Sequence, residues 1–241
     1  MILNSTKEEL GRVSSDQKSK PETKWTAVED YLDGLLIQED PALAAVRKAS
    51  AAAGLPDIAV SPSQGKLLHL LVRMRGARRI LEIGTLGGYS TIWMARALPK
   101  AGHLVTLEFV PRHFEVAKAN LSRCGLSNVV EQRLGPAIEL LPQLAKQKKG
   151  PFDLIFIDAD KEQTAEYFAW AVRLSAPGAA ILVDNVIRDG RVADGKDGDP
   201  RVRGIRRFLR AAAAEPRVTA TTIQTVGSKG YDGFTLAVVT R

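Results

Sequence analysis

Cysteine is nearly absent from this 241-residue sequence, where Cys124 stands alone. That excludes an intrachain disulfide framework and a cysteine-rich zinc site, and a lone thiol fits a reducing compartment. Histidine is almost as scarce: His69, His103 and His113 stand far apart, with no metal-ligand spacing. Aromatic residues make up only 6%, so platforms for stacking single-stranded nucleic acid are few. No apolar run approaches the roughly 18 residues that span a bilayer, and no membrane association is expected. The first residues carry no apolar stretch of the secretory kind, and Glu8, Glu9, Asp16 and Glu22 argue against a transit peptide. A cytoplasmic location is therefore expected.

What is present is the profile of a globular chain, 45% hydrophobic and 25% charged. The length suits one large domain with ample chain for a core. Net charge is +7, which attracts polyanions or acidic small molecules, although arginine-rich coding gives the same balance without function. Met1–Lys24 is mostly Ser, Lys, Glu, Gln and Asn. Such a stretch buries too little to offset the entropy of ordering, so residues 1–24 are expected to form a flexible tail or to dock on a partner subunit. Residues 25–241 are expected to form a single domain.

From Trp25 onward helix and strand patterns alternate. Trp25, Val28, Tyr31, Leu32, Leu35 and Leu36 recur at helical spacing. Asp40-Pro41 reads as a cap and first turn, and Gly54 closes that helix. A third helix is expected over Ser63–Arg75. Apolar runs follow at Arg79–Ile83, Leu104–Glu108, Asn128–Arg133, Phe152–Asp158, Ala179–Val183, Val218–Thr225 and Phe234–Thr240. Helical segments Gly88–Leu98, Pro111–Arg123, Pro136–Lys146 and Glu162–Leu174 separate the first five. This alternation predicts an α/β fold with a mainly parallel sheet. The last two runs are joined only by Gly227–Gly233, which predicts a hairpin and one antiparallel strand.

In such sheets ligands bind beyond the carboxyl ends of the strands, so the strand ends hold the candidate chemistry. The first strand runs into Leu81-Glu82-Ile83-Gly84-Thr85-Leu86-Gly87-Gly88-Tyr89-Ser90. Its glycines allow a tight turn and close approach of a ligand, but the spacing is not that of the dinucleotide fingerprint. An acid such as Glu82 beside the glycines suits an ammonium or sulfonium ligand better than a pyrophosphate; a plain strand-to-helix turn is the alternative. Glu108 ends the second strand, where a carboxylate can accept both hydroxyls of a ribose; the alternative is an acid at a helix start. The fourth strand ends Asp158-Ala159-Asp160-Lys161 and the fifth Asp184-Asn185. If those strands are neighbours, Asp158, Asp184 and Asn185 offer hard oxygen ligands for Mg²⁺, Mn²⁺ or Ca²⁺. Asp and Asn are also ordinary turn formers.

Taken together, these motifs resemble the cation-dependent O-methyltransferases, the catechol and caffeoyl-coenzyme A O-methyltransferase-like enzymes, of bacterial type. The resemblance runs from about Trp25 to the C-terminus and is strongest from Gln64 to Asn185. It implies a class I S-adenosylmethionine-dependent methyltransferase (Rossmann-like) fold, a seven-stranded sheet with helices on both faces. It implies that Val60, Glu82, Gly84 and Ser90 hold the methionine part of S-adenosylmethionine, that Glu108 takes the ribose, and that Ala137 lies beside the adenine. Asp158, Asp184 and Asn185 would be the metal ligands, Mg²⁺ first, with Asp158 also near the cofactor. Lys161 would be the catalytic base that takes the proton from a phenolic acceptor with vicinal hydroxyls. The leading helices would help to form a homodimer and cover the site. Ala159 and Asp160 stand where the animal catechol enzymes have His and Trp, which leaves the acceptor open.

Two further segments bear on function. Arg188–Pro200 is rich in Gly and Asp and follows the expected metal strand, so it reads as a mobile lid or a solvated loop. After Pro200, the stripe Ile205, Phe208, Leu209 and Ala212 reads as core, and Arg203, Arg206, Arg207 and Arg210 form the other face. That face is either simply solvated or an anion site, which keeps a tRNA methyltransferase acting on a hydroxylated base as an alternative. A non-catalytic cofactor-binding protein is the other.

Overall fold

The helix starts follow the caps written into the sequence. In a computed structural model describing residues 21–37 and 39–240, the Asp40 side chain accepts from Leu43 N at the head of α2 (Pro41–Ala52). Ser61 does the same for Gln64 N at the head of α3 (Pro62–Arg75), which ends on left-handed Gly76. Side-chain oxygens at these positions satisfy amides that the helix itself leaves unpaired. The first helix, α1 (Pro21–Leu36), begins before Trp25, so Pro21–Lys24 is helical; the rest of the expected tail lies outside the described residues.

Seven strands follow: β1 (Arg79–Ile83), β2 (His103–Glu108), β3 (Val130–Leu134), β4 (Phe152–Ile157), β5 (Ser175–Asp184), β6 (Val218–Gly227) and β7 (Gly230–Val239). The crossover helices are α4 (Tyr89–Ala95), α5 (Pro111–Arg123), α6 (Ala137–Lys146), α7 (Thr164–Leu174) and α8 (Pro200–Ala214). The sheet order is β3-β2-β1-β4-β5-β7-β6. The first five strands pair in parallel, and β7 runs antiparallel to both β5 and β6. The expected loop Gly227–Gly233 shrinks to Ser228 and Lys229, because both hairpin strands extend further than the apolar runs suggested.

Alternate residues of the central strands feed opposite faces, as the period of a strand requires. Leu81, Ile83, Ile155 and Ile157 pack with α6, α7 and α8. Ile80, Leu154 and Phe156 pack with α2, α3 and α4. Both faces are covered, which is why Phe152–Ile157 is apolar without alternation. Trp93 is buried in the second cluster, and Trp170 packs at the edge of the first. The α8 stripe is core: Ile205 and Phe208 are fully buried, while Arg203, Arg207 and Arg210 are exposed.

The outer layer differs. Helix α1 rests on β6 and α3 but leaves Val28, Tyr31, Leu35 and Leu36 exposed, Tyr31 to 68%. Among the described residues no helix is long and apolar enough to cross a membrane. Chain direction away from the sheet centre reverses between β1 and β4, which opens a crevice beyond their carboxyl ends.

Candidate active site

The crevice is lined on one side by the turn from β1 into α4. Gly84 has φ 98°, and a Cβ there would collide with the Asp158 carbonyl oxygen. Only glycine lets β1 leave the sheet so close to the end of β4. The two ends are joined by Asp158 N donating to Ile83 O at 2.9 Å.

Glu82 lies under this turn and is 0% exposed. Its carboxylate accepts from Ser90 Oγ at 2.6 Å, Thr91 Oγ1 at 2.5 Å and Thr106 Oγ1 at 2.7 Å. Burial pushes its carboxyl up to about 7, against the pull of those three hydroxyls and with a further push from Asp158. These three bonds leave the carboxylate part of its acceptor capacity, since it has about four sites, and they also orient the Ser90 hydroxyl.

Glu108, at the end of β2, sits on the same turn. Its Oε2 accepts from Thr85 N at 3.1 Å and Leu86 N at 2.8 Å. Its Oε1 accepts from Val110 N at 2.8 Å and faces His113 Nδ1 at 3.5 Å. A ribose diol would have to share acceptor sites with these amides, since a carboxylate has about four. Gly135 N bonds Glu108 O at 2.8 Å and so brings the head of α6, with Ala137, toward the same strand end. Val60 is buried just before the Ser61 cap.

The other side of the crevice is acidic. Strands β4 and β5 are neighbours, with Ile157 opposite Val183, so Asp158 and Asp184 leave adjacent strand ends. Asp184 is almost wholly buried. Burial first, then the Asp158 charge, pushes its carboxyl up to about 7, while Lys161 and Gln64 pull it down. Lys161 Nζ donates to Asp158 Oδ1 at 2.9 Å and to Asp184 O at 3.2 Å. The lysine is held from behind: its carbonyl accepts from Thr164 Oγ1 at 3.0 Å. It also packs so tightly on Gly204 of α8 that a Cβ there would collide with it. Asn185 turns the chain at φ 56°, with its amide donating to Asp184 Oδ1 at 2.8 Å.

A buried carboxylate beside a second, partly exposed one favours a cation nearby. Asp158, Asp184 and Asn185 stand at these adjacent strand ends and carry oxygen donors of the kind a hard divalent ion takes. Among the described residues no group of three or more His, Cys, Asp and Glu forms a metal cluster; the set here is two acids and an amide. By their chemistry these residues would fit Mg²⁺ or Mn²⁺.

Several contributors were not singled out from sequence. Thr91 and Thr106 satisfy Glu82, His113 faces Glu108, and Gln64 on α3 reaches Asp184. A hydroxyl-rich Ser90-Thr91 after a glycine turn was the one available signal. The Arg188–Pro200 segment is mostly exposed and has local order. It contains a 3₁₀ turn, Arg191–Ala193, and Arg191 pairs with Asp197 at 2.8 Å and Asp199 at 3.2 Å. Beyond it, Arg203, Arg206, Arg207 and Arg210 line a cavity of about 590 Å³ with Glu162 and Asp197.

Comparison with known proteins adds the following. A family model described as O-methyltransferase matches residues 35–239. A catechol O-methyltransferase of Niastella koreensis is 54% identical over 213 residues, covering 88% of this chain and 96% of that protein. Among solved structures, an O-methyltransferase from Bacillus cereus in complex with SAH is 55% identical. It covers 90% of this chain and 99% of its own, with TM-score 0.89. The O-methyltransferase TomG from Streptomyces achromogenes, involved in tomaymycin synthesis and in complex with SAM, is 52% identical. It covers 92% and 99%, also with TM-score 0.89.

Proposed function

The chain belongs to the O-methyltransferase family, and on that premise we propose that it moves the methyl group of S-adenosylmethionine, with a divalent cation, to one hydroxyl of a catechol-like acceptor. The observation that carries this reading is the cluster of Asp158, Asp184 and Lys161 facing the glycine turn across one crevice.

In this reading Gly84, Val60, Glu82 and Ser90 cradle the methionine part of the donor, Ser90 held in place by Glu82. Glu108 receives the ribose and the head of α6 at Ala137 borders the adenine. Asp158, Asp184 and Asn185 are the residues that would hold the cation. When bound, it supplies positive charge that stabilises an ionised acceptor oxygen. Lys161 Nζ, which is paired with Asp158 as an ammonium, would first release its own proton beside the bound cation and then, as the neutral amine, take the acceptor's proton as general base. The freed oxygen then attacks the sulfonium methyl. The chain's main contribution is to hold oxygen and methyl in line at attack distance. A non-catalytic binding role leaves the Asp158–Lys161–Asp184 cluster without a purpose.

The exposed apolar face of α1, with Tyr31, Leu35 and Leu36, is the surface this reading gives to a homodimer contact. The cytoplasm is the location that suits a lone thiol. A tRNA acceptor is the second reading, favoured by the arginine-lined cavity of α8; Glu162, Asp197 and the Arg207–Glu166 pair partly neutralise it.

Methyl transfer to a catechol panel and to total tRNA tests both. Transfer to catechols with none to tRNA supports the proposal. Transfer to tRNA alone replaces it with the second reading.

A further inference from the structure

After Asp184 the chain turns sharply. Asn185, Arg188 and Asp189 all adopt left-handed backbone, at φ 56°, 55° and 56°. Side chains pay for that conformation, so something outside the turn must hold it. The register of β5 on β7, with Asp184 opposite Phe234, sets Tyr231, Asp232 and Gly233 beside it. Four consecutive amides of the turn bond to this one segment. Val186 N donates to Gly233 O at 3.0 Å and Asp189 N to Tyr231 O at 3.2 Å. Between them, Ile187 N and Arg188 N both donate to Asp232 Oδ1, at 2.9 and 3.0 Å.

Asp232 is the only side chain in that set of four. The same oxygen accepts from Gly233 N at 3.0 Å, and Oδ2 lies 3.9 Å from the Arg188 guanidinium. The hairpin that carries it is anchored in turn: Ser228 N donates to Glu29 of α1, and Lys229 Nζ lies 3.6 Å from Asp57. Bonds to a charged acceptor are about twice as strong as neutral ones. One carboxylate on two amides of the turn is thus the strongest single tie between the hairpin and the turn.

We propose that Asp232 is a positioning residue for the cation-binding end of β5: it fixes the Val186–Asp189 turn and so the aim of the Asp184 and Asn185 oxygens. The inference rests on the reading of that strand end as a cation site. Groups that orient metal ligands without touching the metal typically contribute about 10–100-fold to metal affinity.

The test is Mn²⁺ titration of the full chain by calorimetry, with SAH affinity measured separately without metal. Asp232→Ala should weaken Mn²⁺ binding about 10–100-fold and leave SAH affinity within about threefold. Asp232→Asn keeps an acceptor oxygen without the charge and should weaken Mn²⁺ about three- to tenfold. If the alanine variant does not fold, the asparagine variant decides. Mn²⁺ affinity equal to the unmodified chain's overturns the positioning role. So does a matching loss of SAH affinity, which would mean that Asp232 merely supports the fold. If the unmodified chain binds no Mn²⁺, the cation reading falls and takes this inference with it.

Discussion

At the ends of β1 and β2, the carboxylates of Glu82 and Glu108 are met by hydroxyls and backbone amides. At the ends of β4 and β5, Asp158 and Asp184 leave adjacent strands, and Lys161 Nζ bridges the Asp158 carboxylate and the Asp184 backbone carbonyl. The first side of the crevice is satisfied by the protein itself and is rigid for that reason. The second is an acid pair in which burial first, and then the Asp158 charge, raises Asp184, a cost the fold offsets only in part with one lysine. Rigid hydrogen bonding suits the recognition of a constant donor. Excess negative charge suits a cation and a variable acceptor.

The largest way to break this contrast is to strip the second side. Lys161→Ala should lower kcat about 10²–10⁴-fold, the usual share of a general base, with SAH affinity unchanged by calorimetry. A loss of SAH binding in step with kcat would put Lys161 on the cofactor side instead. On the first side the expected damage is to stability. Glu82→Ala leaves Ser90 and Thr91 without their acceptor, while Thr106 keeps Thr85 Oγ1 as a partner, and each buried hydroxyl so abandoned costs about 1–3 kcal/mol. Denaturant unfolding should show a loss of several kcal/mol; a loss below about 1 kcal/mol would mean that the hydroxyls find other partners.

The pH response sharpens the same point. Glu82 sits at about 7 in the folded protein, against an ordinary 4.5. The folded chain therefore binds this proton more tightly than the unfolded chain. The stabilisation is complete below about pH 4.5 and is lost as pH rises through 7, about 3 kcal/mol in all. Asp184, also at about 7, adds a slope of the same sign. Glu82→Gln should therefore roughly halve the fall in unfolding free energy between pH 5 and 8. An unchanged slope would contradict the burial argument. The smallest effect belongs outside the crevice. Arg207 pairs with Glu166 at 2.9 Å on the surface, and Arg207→Ala should cost below about 1 kcal/mol without altering kcat on a catechol. A selective fall in transfer to tRNA would instead revive the second reading.

The second side of the crevice was the more legible in sequence. Asp158 and Asp184 each end a short apolar run, and an acid after buried aliphatics stands out whatever the sheet order. Lys161 and Asn185 lie beside them in the chain. The hydroxyls that surround Glu82 were not legible, because an acid beside glycines does not reveal its other partners. Its hydroxyl partners come from the next helix and from β2, and Thr106 reaches it only through the β1–β2 register. Asp232 was hidden for the same reason. It lies in what reads as a turn, and its amide partners are 45 and 44 residues away, brought near by antiparallel pairing. Strand count and the terminal hairpin followed from the pattern. The hairpin's length did not, since Gly230–Gly233 pairs through backbone rather than through apolar side chains.

The central claim is that the acid pair at β4 and β5 works through a cation. Methyl transfer from S-adenosylmethionine to a catechol, measured with Mg²⁺ and then with EDTA, for the unmodified chain and for Asp184→Asn, tests it most directly. The account predicts that EDTA abolishes transfer, that Mg²⁺ restores it, and that Asp184→Asn needs far more Mg²⁺ while binding SAH normally. Transfer that EDTA leaves intact, or an Asp184→Asn variant with an unchanged Mg²⁺ requirement, would contradict it.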